Sequence, residues 1–193
     1  MGSNEGKAKA LTEQDIKVLK AIIVSEPHSE RNMAMLMFGL KSGLRAKEIA
    51  SLRTSHILNN DNTLRDTTTI GKGVAKGNKI GKIHLRNKEL RRSLEEWLAV
   101  REDDIASDVL FYTQKRQAMR PQYVSRYFYE LMQRANINGA SSHSLRRTFA
   151  NNLMDNGTNI RDIRVLMRHS SIATTQLYFE ENETQLGSLI ANL

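Results

Sequence analysis

One stretch in the first half of this chain breaks an otherwise helical pattern, and that break limits the possible folds more than any other feature. Thr67-Thr68-Thr69-Ile70 and Lys82-Ile83-His84-Leu85 are β-prone runs. Between them lies Gly71-Lys72-Gly73-Val74-Ala75-Lys76-Gly77-Asn78-Lys79, a basic loop punctuated by glycine, and Asn59-Asn60-Asp61-Asn62 forms a turn upstream. β-Branched side chains crowd a helix but pack well on a pleated surface. Two such runs joined by a glycine-rich loop predict a small antiparallel sheet. The remainder reads as helix, so the expected class is mainly α with a small antiparallel β-sheet (α+β).

Helix ends are marked along the chain. Thr12 with Asp15 three residues on resembles a capping box, and Ile16, Leu19 and Ile23 recur at helical spacing, which predicts a helix at about 12 to 25. Ser29 is the expected cap of a second helix, with Met33, Met37 and Leu40 inward and Gly43 as its stop. A short helix is expected over Ala46 to Leu52. Asn87 caps another, with Leu90, Leu94, Trp97 and Leu98 on one face, and Val109-Leu110-Phe111 reads as a short buried extended piece. Pro121 suits the first position of a helix to about Ala135. Further helices are expected from about Ser144 to Asn156, stopped by Gly157, from Ile160 to Arg168, and from Thr174 to Phe179. With two prolines and no low-complexity stretch, no interdomain linker or internal repeat is expected.

Composition narrows the partner. Lys and Arg number 29 against 21 Asp and Glu, a net charge of +8, which favours a polyanion such as nucleic acid over a merely soluble basic surface. The absence of cysteine excludes a disulfide framework and a thiolate metal site. No apolar run is long enough to span a bilayer, and residues 1–6 lack the apolar core of a signal peptide. The expectation is a cytoplasmic protein with no membrane partner.

Two basic segments far apart in sequence read as chemistry only when taken together. The first is Gly43-Leu44-Arg45-Ala46-Lys47-Glu48, extending to Leu52. The second is His143-Ser144-Leu145-Arg146-Arg147-Thr148, followed by Arg168-His169-Ser170-Ser171 and Thr174-Thr175-Gln176-Leu177-Tyr178. Attack on a phosphodiester requires neutralisation of the charge that builds on the non-bridging oxygens, a task that clustered carboxylates and Mg²⁺ often perform. The chain shows no persuasive carboxylate cluster. Arginine suits the same task, because its planar fork binds phosphate oxygens bidentately and stays charged. Tyr178 is the candidate nucleophile, a phenol that a base or a positive field must activate. His143 and Arg146 lie three apart on one face of a helix start, whereas Leu145, Phe149 and Leu153 anchor another face. His169 precedes Tyr178 by nine residues across a turn. Taken singly, each of these residues has an ordinary structural explanation: a helix-end cation, a surface charge, a packing tyrosine.

In this order, the residues resemble a family. Gly-Leu-Arg45-x-x-Glu48-x-x-x-Leu52, His143-x-Leu-Arg146-Arg-Thr and Leu166-Met-Arg-His169-Ser-Ser-Ile-x-Thr-Thr-x-x-Tyr178 resemble the motifs of the tyrosine recombinases, the phage integrase family with its Xer and lambda-type enzymes. The resemblance runs from about residue 11 to 182, the family's catalytic domain, with a disordered segment 1–10 before it and an amphipathic tail 183–193 after it. It implies roles. Arg45, Arg146 and His169 would bind the scissile phosphate, His143 would assist proton transfer, and Tyr178 would form a 3′-phosphotyrosyl bond. A lysine in the hairpin would protonate the departing 5′ oxygen. Lys76 fits best, with Lys72 second and Lys79 third. Lys47, Lys72, Lys79, Arg147 and Arg168 are expected at the DNA backbone, Glu48 is expected to be structural, and no metal or cofactor is implied. Three departures stand out. Arg168 occupies a place where the family usually has glycine, and His84 one where proline is common. The family's N-terminal core-binding domain has no counterpart here, which leaves open an excised catalytic domain or a short member like the fimbrial invertases.

Leu186, Leu189, Ile190 and Leu193 follow helical spacing in the tail. The resemblance implies docking of this face on a neighbour in a DNA-bound tetramer; docking on its own domain, or disorder in isolation, are the alternatives. The leading expectation is a metal-independent site-specific recombinase acting on double-stranded DNA. A type IB topoisomerase, and a DNA-binding regulator that has lost catalysis, are the competing readings. An RNA-binding module is disfavoured, since no aromatic stacking platform on a sheet is in view.

Overall fold

The computed structural model describes residues 8–70, 81–102 and 108–176. Within them the chain runs α1 (Glu13–Val24), α2 (Ser29–Ser42), α3 (Ala46–Ala50), α4 (Thr54–Ile57), β1 (Thr67–Ile70), β2 (Gly81–His84), α5 (Lys88–Val100), α6 (Pro121–Arg134), α7 (Ser142–Asp155), α8 (Ile160–Leu166) and α9 (Ile172–Gln176). The inserted sheet is a two-stranded antiparallel ladder in which Thr67 faces His84 and Ile70 faces Gly81.

Several helix ends form as the sequence indicates. Thr12 and Asp15 make a reciprocal capping box on α1. Asn87 accepts from the Leu90 N–H at the start of α5, and Pro121 opens α6. Gly43 ends α2 in the left-handed region, φ 58°. Ser29 is not the cap of α2; His28 holds that position with φ 61°, and no side chain closes the turn. A helix the sequence did not announce, α4, spans four residues and is held from a distance by Asp108. That carboxylate accepts from Thr54 Oγ1 and from the Ser55 N–H.

The core is built around α2. Arg31, Asn32, Ala34 through Leu40 and Ser42 are all buried, so this helix is covered on most of its circumference by α1, α5 and α7. Leu90, Leu94 and Trp97 of α5 close one side, and Phe38, Trp97 and Phe111 make aromatic contacts there. The extended piece at 109–111 is present: Val109 pairs with Arg53, the Leu110 N–H donates to Leu52 O, and Trp97 Nε1 donates to Leu110 O.

On the other side, α7 approaches α2 closely at two glycines. A Cβ on Gly39 would lie 2.7 Å from Leu145 Cδ1, and one on Gly43 would lie 2.4 Å from the Phe149 ring. Phe149 and Leu153 of α7 then join Ala150, Ile163 and Met167 in a smaller apolar cluster that holds α8.

Residues 8–11 are tied to the packed body by three hydrogen bonds. Ala8 O accepts from Arg147 Nη1 at 3.1 Å, the Lys9 N–H donates to Gly139 O, and the Leu11 N–H donates to Thr148 Oγ1 at 2.8 Å. Residues 8–11 therefore form a strap across α7. No helix among the described residues is long and apolar enough to cross a membrane.

Candidate active site

Guanidinia carried by the start of α3, by α7 and by the end of α8 meet at one buried carboxylate. Glu48 lies at the third position of α3, a spacing that lets its side chain reach back to the first N–H of the helix. Its Oε2 accepts from the Arg45 N–H at 2.8 Å, and its Oε1 accepts from Arg45 Nη1 at 3.2 Å. Arg168 Nη2 lies 3.2 Å from the same Oε2, and Arg146 Nη1 3.9 Å. The carboxylate is 1 % exposed, so three guanidinia from three distant segments converge on a desolvated anion.

Burial alone would raise the Glu48 carboxyl. Arg168, the Arg45 N–H, Arg146 and Arg45 outweigh it and hold the group below the ordinary carboxylate range. Three positive groups against one negative leave an excess of two positive charges here, which is the electrostatic form of a polyanion site.

The carbonyls left over at helix C-termini explain where the guanidinia sit. Arg146 donates through Nη1 to Gly43 O, at the end of α2, and through Nη2 to Met167 O, at the end of α8. Its side chain is fully enclosed. Arg168 donates through Nη1 to Leu166 O and Ser42 O, at 2.8 and 3.4 Å, and through Nη2 to Gly43 O at 3.0 Å. Together the two arginines tie the ends of α2 and α8 to each other and to α3.

The turn that sets His169 is equally specific. The His169 N–H donates to Arg164 O and the Arg168 N–H to Val165 O, with Arg168 at φ 54°. This is a Schellman ending, and its left-handed residue is usually glycine. The expected helix to Arg168 therefore stops at Leu166, with Met167 as its cap. His169 emerges buried, and its Nδ1 shares a 2.9 Å hydrogen bond with Thr175 Oγ1, itself buried in α9. Desolvation, Arg146, Arg45 and Arg168 push this imidazole down to about 3, so it is neutral at physiological pH. His143 stands on the outer rim at the start of α7. Partial desolvation, then Arg146 and Arg45, lower it as well.

The site residues named from sequence divide clearly. Arg45, His143, Arg146 and His169 are brought together: three segments converge on Glu48, and each histidine feels both arginines electrostatically. Tyr178, Lys76, Lys72 and Lys79 lie outside the described residues. Lys47 is exposed on α3. Arg147 and Arg168, expected at the DNA backbone, are both turned inward. Arg147 is 5 % exposed and holds the strap at Ala8 O, and the Arg168 side chain is 6 % exposed and turned onto Glu48.

Sequence reading missed Arg168 as a partner of Glu48 and Thr175 as a partner of His169. No local signal marked Arg168, because its partner Glu48 lies 120 residues away in sequence. Among the described residues, no group of three His, Asp or Glu side chains could hold a metal ion.

Comparisons with known proteins agree with one another. Residues 9–185 match the model of the phage integrase family. The tyrosine recombinase XerA of Pyrococcus furiosus is 31% identical over 173 residues, covering 88% of this chain and 56% of that protein. The tyrosine recombinase XerD of Ralstonia nicotianae is 31% identical over 188 residues, covering 95% and 59%. The chain thus spans a little over half the length of these curated relatives. The crystal structure of XerA recombinase superposes with a TM-score of 0.79 at 26% identity, covering 95% of this chain and 64% of that one.

Proposed function

The chain belongs to the phage integrase family, and on that premise we propose that it is the catalytic part of a tyrosine-type site-specific recombinase, cleaving and rejoining double-stranded DNA through a 3′-phosphotyrosyl intermediate. The observation that carries this reading is the convergence of Arg45, Arg146 and Arg168 on the single buried Glu48, with His143 and His169 beside them.

The excess positive charge receives the scissile phosphate, with Arg45 at the solvent-facing rim and Arg146 acting from within the fold. The Tyr178 hydroxyl attacks phosphorus and gives up its proton as the P–O bond to tyrosine forms. His143 is suited to accept that proton, because its lowered pKa keeps it neutral. The bond to the 5′ oxygen breaks, and Lys76 supplies the proton that lets it leave as a hydroxyl. A 5′ hydroxyl from a partner strand then reverses the chemistry, so no external energy source is needed. The roles of Tyr178 and Lys76, and the choice of Lys76 over Lys72 and Lys79, rest on the family resemblance. A homotetramer assembled on DNA through the tail 183–193, acting in the cytoplasm, completes the proposal.

A nicked duplex carrying the sequence that flanks the gene tests it. The expected result is a denaturation-resistant protein–DNA adduct that disappears with Tyr178→Phe and weakens with Lys76→Ala. Tight, strongly salt-dependent binding without an adduct on any candidate site would favour the DNA-binding regulator instead.

A further inference from the structure

His169 and Thr175 are buried against each other. The ring is 8 % exposed, the threonine 0 %, and Nδ1 lies 2.9 Å from Thr175 Oγ1. A threonine in a helix commonly donates its hydroxyl back to the carbonyl four residues earlier. Thr148 does so in α7, donating to Ser144 O at 2.8 Å. Thr175 in α9 does not: among the described residues, His169 Nδ1 is the one hydrogen-bonding partner of its hydroxyl. The pair can be arranged in two ways. With Nδ1–H donating to Oγ1, the hydroxyl hydrogen would be buried without an acceptor, which costs stability. With the hydroxyl donating to Nδ1, that hydrogen has its acceptor. A neutral ring that accepts at Nδ1 must carry its proton on Nε2. The ring is neutral, because desolvation and the guanidinia of Arg146, Arg45 and Arg168 hold it down to about 3.

We propose that Thr175 is a positioning residue that fixes His169 as the Nε2–H tautomer, which makes the ring a hydrogen-bond donor to a phosphate oxygen and not a proton acceptor. The inference rests on the strand-cleavage reading above and adds a residue to it. A bare imidazole nitrogen would meet an anionic oxygen lone pair to lone pair, whereas an N–H meets it as a donor. The two histidines thereby take different work. His143 accepts a proton, and His169 holds the phosphate. Thr175 acts only through the ring.

The first arm of the test needs no DNA. Nitrogen NMR of the histidine rings at neutral pH, with His169 assigned by its loss in His169→Gln, should show Nε2 protonated and Nδ1 bare. A ring protonated on Nδ1 would overturn the proposal, because the hydroxyl would then be the acceptor. The second arm measures adduct formation on the nicked duplex. Thr175→Val keeps the shape and removes the hydroxyl. It should slow the reaction on the order of tenfold to a hundredfold, the range for losing a hydrogen-bond partner that orients a working imidazole. Thr175→Ser should stay within a few-fold of the unaltered chain, and a thermal melt checks that each variant folds. In a His169→Gln background, Thr175→Val should cost nothing further, since no ring is left to orient. A loss of equal size in that background would make the threonine purely structural and overturn its role. Failure of the unaltered chain to form an adduct on any candidate site would remove the cleavage reading and the phosphate-donor role with it, while the ring spectra would still decide the tautomer.

Discussion

Arg45 and Arg146 carry the same charge and face the same carboxylate, yet they sit in opposite environments. Arg45 stands at the start of a five-residue helix with its side chain 24 % exposed. Arg146 lies in the middle of the fold, fully enclosed, with its two terminal nitrogens donating to the ends of α2 and α8. The cap of a short helix leaves its arginine partly open to solvent, whereas a packed helix interface makes its arginine part of the structure. The fold can lose the first and keep its shape; it cannot lose the second without leaving carbonyls and a carboxylate short of partners.

That contrast can be broken by substitution. Arg146→Ala should destabilise the protein by roughly 3–5 kcal/mol, the range for removing one member of a buried ion pair, as read by urea unfolding. Glu48→Gln should fall in the same direction, because the surrounding guanidinia lose the anion they share. Arg45→Ala should shift unfolding by about 1 kcal/mol or less while lowering strand cleavage by on the order of a hundredfold or more. Equal stability losses for Arg45→Ala and Arg146→Ala would erase the distinction.

A finer test uses pH. The His169 imidazole falls from an ordinary value of 6.5 to about 3 in the folded chain. Between those values the unfolded chain accepts a proton that the folded ring refuses, so stability is full above about pH 6.5 and declines as pH drops. The melting temperature should therefore fall from pH 7 to pH 5, and His169→Gln should make that fall shallower, with His143 and His56, both lowered by desolvation, contributing in the same direction. A wild-type melting temperature that did not change over this interval would contradict the desolvated neutral ring. At the small end, Arg126→Ala breaks an exposed pair with Glu130 on α6, and no shift in melting is expected.

The same two regions show what sequence reveals and what it hides. Local signals carried the helix starts at Thr12, Asn87 and Pro121 and the stop at Gly43, because each acts within one turn of itself. α4 was illegible, since its stabilising carboxylate, Asp108, lies more than fifty residues away. The early end of α8 was illegible for a related reason: the left-handed residue is an arginine, and only Glu48 and Gly81, distant in sequence, explain its place. At the site, the motif spacing picked out Arg45, His143, Arg146 and His169, but nothing local indicated that Glu48 would gather a third guanidinium.

The strap at residues 8–11 has a mechanical consequence. It is fastened to α7 through Arg147 and Thr148, the two residues that follow Arg146. A tension applied to the chain at residue 8 would load that turn first, in series with the enclosed arginine. The Leu11 amide, sealed against Thr148, becomes a natural strain gauge: its rate of hydrogen exchange reads how firmly α7 is seated.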